Sequence, residues 1–137
     1  MLHAREHAAK RGVDVRLLIP SQANEPLIVS AARSHYGDLL KAGVKVYEWH
    51  GEMLHAKTGT IDGVWSTVGT SNLDWWSIAR DNELNAIILS HSFGDEMNQT
   101  FFDDLKKSKE ITRYEWKHRG LEERLKEIGA GTVERLL

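Results

Sequence analysis

Two β-branched and aliphatic runs, residues 13–19 and 44–49, stand on either side of one helical stretch at 25–41, and that order leaves few folds open. The first run is stopped by Pro20 and reads as a buried strand, while the second alternates along its length as a second strand. Strand, helix and strand in sequence imply a parallel pair joined by a right-handed crossover. Residues 54–61 and 64–68 then flank Asp62 and Gly63, a two-residue turn of the type that closes an antiparallel hairpin. The opening segment to Arg11 reads as a helix stopped by Gly12, and residues 83–89 as a further strand. Residues 93–107 form an amphipathic helix with Phe101, Phe102 and Leu105 as its apolar stripe, and residues 121–137 a charged terminal helix. Parallel and antiparallel pairings together define an α/β chain with a mixed sheet.

The chain has 137 residues, the size of one domain with a single core. It has no cysteine, which excludes disulfides, thiolate nucleophiles and Cys-ligated zinc. A net charge of -2 lacks the broad positive field of a nonspecific nucleic-acid binder, so nucleic acid is disfavoured as a partner. The basic clusters Lys106, Lys107 and Lys109, and Lys117, His118 and Arg119, read as solvated helix faces. No window approaches the ~20 apolar residues of a spanning helix, and the first residues lack the apolar core of a signal peptide. His3, Glu6 and His7 fit an inverted zinc-protease string, yet spacing places no third ligand, and they read as a solvated face.

The chemistry concentrates at His55, Lys57 and Asp62. Side chains two apart on a strand share a face, so an imidazole and an ammonium are expected side by side. A phosphodiester is anionic and resists attack; opening one without a metal takes a nitrogen nucleophile, cations for the developing charge and an acid for the leaving alkoxide. Histidine ordinarily titrates near ~6.5 and can serve as base or acid near neutral pH, and lysine is a compact charge for phosphate oxygens. Asp62 opens the hairpin turn, where its expected role is to hold the loop by side-chain to backbone bonds.

The order His55, Lys57, Asp62, followed by Gly69, Thr70, Ser71 and Asn72 and continuing through Leu73, Asp74, Asn82, Glu83, Leu84 and Asn85, resembles the HKD signature of the phospholipase D superfamily. Residues 12–20, 31–36, 39–48 and 54–57 resemble the C-terminal half of bacterial cardiolipin synthases and related phosphatidyltransferases, and the resemblance covers roughly residues 5–118. It implies an αβα sandwich with a mixed sheet, in which another strand normally precedes the helix that here begins at Met1. The half-domain is therefore expected to be incomplete, a truncated product or fragment with sheet edges uncovered. Residues 1–118 are expected to form the catalytic domain and 119–137 a helical tail.

By the same resemblance His55 is either the nucleophile of a phosphohistidine intermediate or the opposing general acid. Lys57, Thr70 and Asn72 bind the phosphate oxygens, and Glu83 orients the histidine ring. Asp62, Gly69, Ser71 and Asp74 complete the motif as structural residues, and Trp75 and Trp76 are candidate lipid contacts. No metal or other cofactor is called for. The superfamily site uses two such motifs, and this chain has one: neither His50 nor His91 has a lysine two residues on. A second motif half is expected upstream in a longer polypeptide or from a homodimer partner.

The implied activity is transfer of a phosphatidyl group from a phospholipid through phosphohistidine to phosphatidylglycerol, giving cardiolipin. Hydrolysis as a phospholipase D, a homodimeric single-motif nuclease and an inactive fragment or interaction module are the alternatives. The expected partners are a phospholipid substrate and a membrane surface. This chain would be peripheral, with the membrane-binding segments of the full-length enzyme, at the bacterial inner membrane, outside it.

Overall fold

The computed structural model describes residues 2–22, 26–70 and 83–120. They divide into two compact units, one formed by His55–Lys107 and the other by Leu2–Leu54 with the chain from Ser108 onward.

The second of these holds helix α1 (Leu2–Lys10), strand β1 (Arg16–Pro20), helices α2 (Pro26–Ser34) and α3 (Tyr36–Ala42), and strand β2 (Lys45–Trp49). β1 and β2 pair in parallel from Arg16 opposite Lys45 to Pro20 opposite Trp49, as the strand-helix-strand order requires. β1 is half-buried along its whole length rather than fully buried, and it lies at an edge of the sheet, where Pro20 needs no ladder donor. The helical stretch is two helices, not one. The Ser34 hydroxyl donates to the Ala31 carbonyl at 2.6 Å, and the His35 N–H bonds Ala32 instead of continuing the ladder to Ala31. The break turns Tyr36 and Leu39 into the core beside Val44 and Val46.

A third strand, β6 (Ser108–Ile111), adds antiparallel to β2 and puts Ile111 opposite Val46. This corrects the reading of Lys106, Lys107 and Lys109 as one solvated helix face: the helix ends at Lys106, and Lys109 stands on a strand. The next helix, which we number α5 (Arg113–His118), explains the change. Thr112 accepts from the Glu115 N–H at 3.1 Å, and the Glu115 carboxylate accepts from the Thr112 N–H at 3.1 Å, a capping box that starts a new helix just after Ile111, the last residue of the strand. Trp116 of α5 then packs on Tyr36 with ring centroids 5.1 Å apart.

One charge lies inside this core. β2 alternates so that Val46 and Glu48 both face inward, and Glu48 is 2% exposed. A buried carboxylate is costly without partners. Arg33 of α2 supplies a bidentate pair, Nε to Oε1 at 2.8 Å and a terminal nitrogen to Oε2 at 2.9 Å.

At the other end of β2, Asp14 bonds Arg16 at 2.6 Å and Lys45 at 3.0 Å. The Arg16 hydrogen bond first, then Lys45, holds its carboxyl down at about 2. A carboxylate with a depressed folded-state value stabilises above the unfolded value of about 3.9 and loses that contribution as pH falls toward the folded value. Because the group is half in solvent, screening limits the contribution to about 0.5 kcal/mol. Thermal melts of wild type and Asp14→Asn should differ slightly at pH 5 and converge near pH 2; a gap that persists at pH 2 would assign the effect to something other than this charge.

The first unit is a wholly antiparallel sheet of β3 (Thr58–Ile61), β4 (Trp65–Gly69) and β5 (Asn85–Leu89), with helix α4 (His91–Lys106) packed on it. The mixed pairing thus resides in the β1-β2-β6 sheet, and the hairpin strands form a sheet of their own. Ser90 caps α4 by accepting from the Phe93 N–H at 3.3 Å, and the Thr60 hydroxyl donates to Asn98 of the helix at 2.7 Å. Phe101 and Leu105 are half-buried, while Phe102, expected in the apolar stripe, is exposed. Ile61, Ile87 and Leu89 are also exposed; by strand alternation they share the sheet face opposite the one holding Thr60.

The hairpin turn departs from a simple two-residue loop by one residue. Asp62 and Gly63 both have positive φ, 53° and 66°, as a primed turn needs, and the Val64 N–H closes it onto the Ile61 carbonyl at 3.2 Å. Ile61 nevertheless pairs with Trp65, because the Val64 carbonyl accepts from Ser90 at 2.9 Å. Ser90, the residue just past β5, thus draws Val64 out of the β3-β4 pairing.

Candidate active site

The motif residues sit just before β3, not on it. The expected strand over 54–61 starts at Thr58. The Lys57 carbonyl still accepts from the Gly69 N–H at 3.1 Å, but β4 ends there, and the next residue, Thr70, bonds Leu84 on the far side instead. Among the described residues no strand partner lies opposite His55 and Ala56, and their backbone is outside the ladder. The lysine ammonium turns back and donates to the His55 carbonyl at 3.2 Å. The ammonium is therefore anchored on the His55 backbone rather than set beside the ring by strand alternation. The His55 side chain is exposed, and among the described residues no side chain bonds its ring.

Three strand ends meet here. Gly69 pairs with Asn85, and the Thr70 N–H donates to the Leu84 carbonyl at 3.1 Å, so Lys57, Gly69, Thr70 and Leu84 lie at one end of the sheet. Only glycine fits at position 69: a Cβ there would collide with the Leu84 carbonyl, the Asn85 Cα and the Asn85 side chain. Thr70 donates its hydroxyl proton to the Glu83 carboxylate and accepts from the Leu84 N–H at 3.1 Å. Glu83 is thus brought to this end, bonded to Thr70.

Asp62 is at the opposite end of β3, about 16 Å from Lys57 at the ordinary rise of a strand. Among the described residues its side chain makes no hydrogen bond; the turn is held by backbone, and what Asp62 contributes is tolerance of the left-handed conformation. Ser71, Asn72, Asp74, Trp75 and Trp76 lie outside the described residues, as does the terminal segment 121–137. Sequence reading passed over the Arg33–Glu48 pair, although the inward alternation of Val44, Val46 and Glu48 was the signal for a buried carboxylate in need of a cation.

A family model described as "Cardiolipin synthase, PLD-like domain" matches residues 1–105. Cardiolipin synthase A of Erwinia tasmaniensis is 36% identical over 127 residues, covering 93% of this chain and 26% of the relative. Cardiolipin synthase 1 of Staphylococcus aureus is 35% identical over 136 residues, 99% of this chain and 28% of the relative. Cardiolipin synthase B of Salmonella typhi is 42% identical over 105 residues, 77% of this chain and 24% of the relative. Among solved structures, the phospholipase D family member Nuc from Salmonella typhimurium shares the fold, with a TM-score of 0.68 at 21% identity, covering 81% of this chain and 72% of that one. The chain belongs to the phospholipase D-like domain family of cardiolipin synthases. It spans between 24% and 28% of the length of these curated relatives.

Proposed function

We propose that this chain is a motif-bearing half of a phosphatidyltransferase that makes cardiolipin. The observation that carries the reading is likeness to cardiolipin synthases across nearly the whole chain, joined to an exposed His55 beside Lys57 at one sheet end.

The reaction needs two imidazoles. A ring nitrogen of one attacks the phosphorus of a phosphatidyl donor; the P–O bond to the headgroup breaks, and the departing alkoxide takes a proton from the other. In the second half, the hydroxyl of a phosphatidylglycerol gives its proton to that same group and attacks the phosphorus, and the P–N bond breaks to release cardiolipin. His55 provides one of the two imidazoles. Lys57 neutralises charge on the phosphate oxygens, joined by Asn72, and Glu83 fixes the ring orientation.

The second imidazole comes from another motif half, carried by the same polypeptide or by a second copy. The acceptor is delivered at a membrane surface, with Trp75 and Trp76 in contact with lipid. Among the described residues no helix is long and apolar enough to cross a membrane, so the reading places this part of the protein against the bilayer surface. Residues 1–118 act as the catalytic half-domain, with 119–137 as an appended tail.

The test is product analysis of the full-length protein with phosphatidylglycerol vesicles. Cardiolipin and free glycerol in equal amounts are expected. Phosphatidate without cardiolipin would make water the acceptor, and cleavage of DNA in place of lipid would overturn the substrate class.

A further inference from the structure

A threonine hydroxyl has one proton to give and two lone pairs to receive. At Thr70 the proton goes to the Glu83 carboxylate, and a lone pair takes the Leu84 N–H at 3.1 Å. The Thr70 and Leu84 backbones are joined as well, N–H to carbonyl at 3.1 Å, so the hydroxyl is held at a fixed place beside the carboxylate. The non-bridging oxygens of a phosphodiester only accept hydrogen bonds. A hydroxyl whose single proton is committed to Glu83 has none left for them.

We propose that Thr70 is a positioning residue that acts through Glu83, not a ligand of the substrate phosphate. The Thr70 bond occupies Oε2 of Glu83 and leaves Oε1 without a partner among the described residues, aligned by its neighbour and available to an imidazole. The assignment rests on the reading of Glu83 as the orienter of His55, and it revises the phosphate-binding role that the family pattern implies for this hydroxyl.

A double-mutant cycle in the full-length protein separates the two roles, because residues that act through one another are not additive. Thr70→Val should lower kcat by about 10–100-fold, the range for loss of a supporting hydrogen bond, with KM for phosphatidylglycerol unchanged. Thr70→Ser, which keeps the hydroxyl and drops only the methyl, should stay near wild-type activity. In a Glu83→Gln background, Thr70→Val should cost little more. Multiplicative losses, or a raised KM with kcat intact, would overturn the proposal and return Thr70 to the phosphate.

A second measurement does not depend on turnover. The ¹³C signal of the Glu83 side-chain carboxyl should move in Thr70→Val and stay near wild type in Thr70→Ser. An unmoved signal in Thr70→Val refutes the Thr70 contact even in an active enzyme, whereas a moved signal in a protein that makes no cardiolipin refutes the functional reading alone.

Discussion

His55→Ala should abolish cardiolipin formation, with kcat/KM reduced about 10⁴-fold or more, the scale on which enzymes lose rate when a nucleophile or its acid partner is removed. Among the described residues no neighbouring side chain can take its place: Lys57 already donates to the His55 carbonyl, and an ammonium has no lone pair to offer phosphorus. Either role for the imidazole, attack or protonation of the leaving alkoxide, leads to the same loss. The change should leave folding intact, because the ring is exposed and unbonded among the described residues, so a melting temperature within a degree or two of wild type is expected. Turnover of the variant is measured by mass spectrometry of the lipid products. A variant retaining a tenth of wild-type rate would place His55 outside the chemistry.

Arg33→Met should have the largest effect on stability, about 3–5 kcal/mol, the usual result of leaving a buried charge without its partner. Glu48 sits on the inward face of β2, and the guanidinium answers both carboxylate oxygens at 2.8 and 2.9 Å. His50 stands 3.9 Å from the same carboxylate, with its side chain half in solvent, and is too distant to replace the fork. Replacing both members, Arg33→Met with Glu48→Leu, should recover most of the loss, because the cost comes from the orphaned charge and not from a large net gain of the pair. Urea unfolding of the four proteins in the cycle checks this. Single and double variants equally unstable would mean that packing around α2, not charge, is what Arg33 supports.

Much of the architecture was legible in local pattern. The parallel β1-β2 pair follows from two aliphatic runs with helix between them, and the hairpin from Asp62 and Gly63. Its extra residue was not legible, because Val64 is drawn away by Ser90, which comes 26 residues later in the chain. The strand at Ser108 was hidden by its own lysines: Lys109 and Glu110 face solvent and carry no apolar alternation, and only the Thr112 and Glu115 pair announced that a helix had to restart there. His55 and Lys57 could be singled out as a candidate pair from residue type and spacing. Their placement ahead of the strand was not, since it depends on where β4 stops.

The sequence by itself determined the parallel β1-β2 pair, the β3-β4 hairpin with its turn at Asp62, the glycine at 69 and the family register of His55, Lys57 and Glu83, because these rest on local conformational preference and on side-chain chemistry. Tertiary structure alone decided that Glu48 would be paired by Arg33, that the pairing of β3 would stop at Lys57, and that the Thr70 proton would go to Glu83. Each of those outcomes is a competition for a hydrogen-bond partner between groups remote in sequence, and only the folded chain brings the competitors within reach.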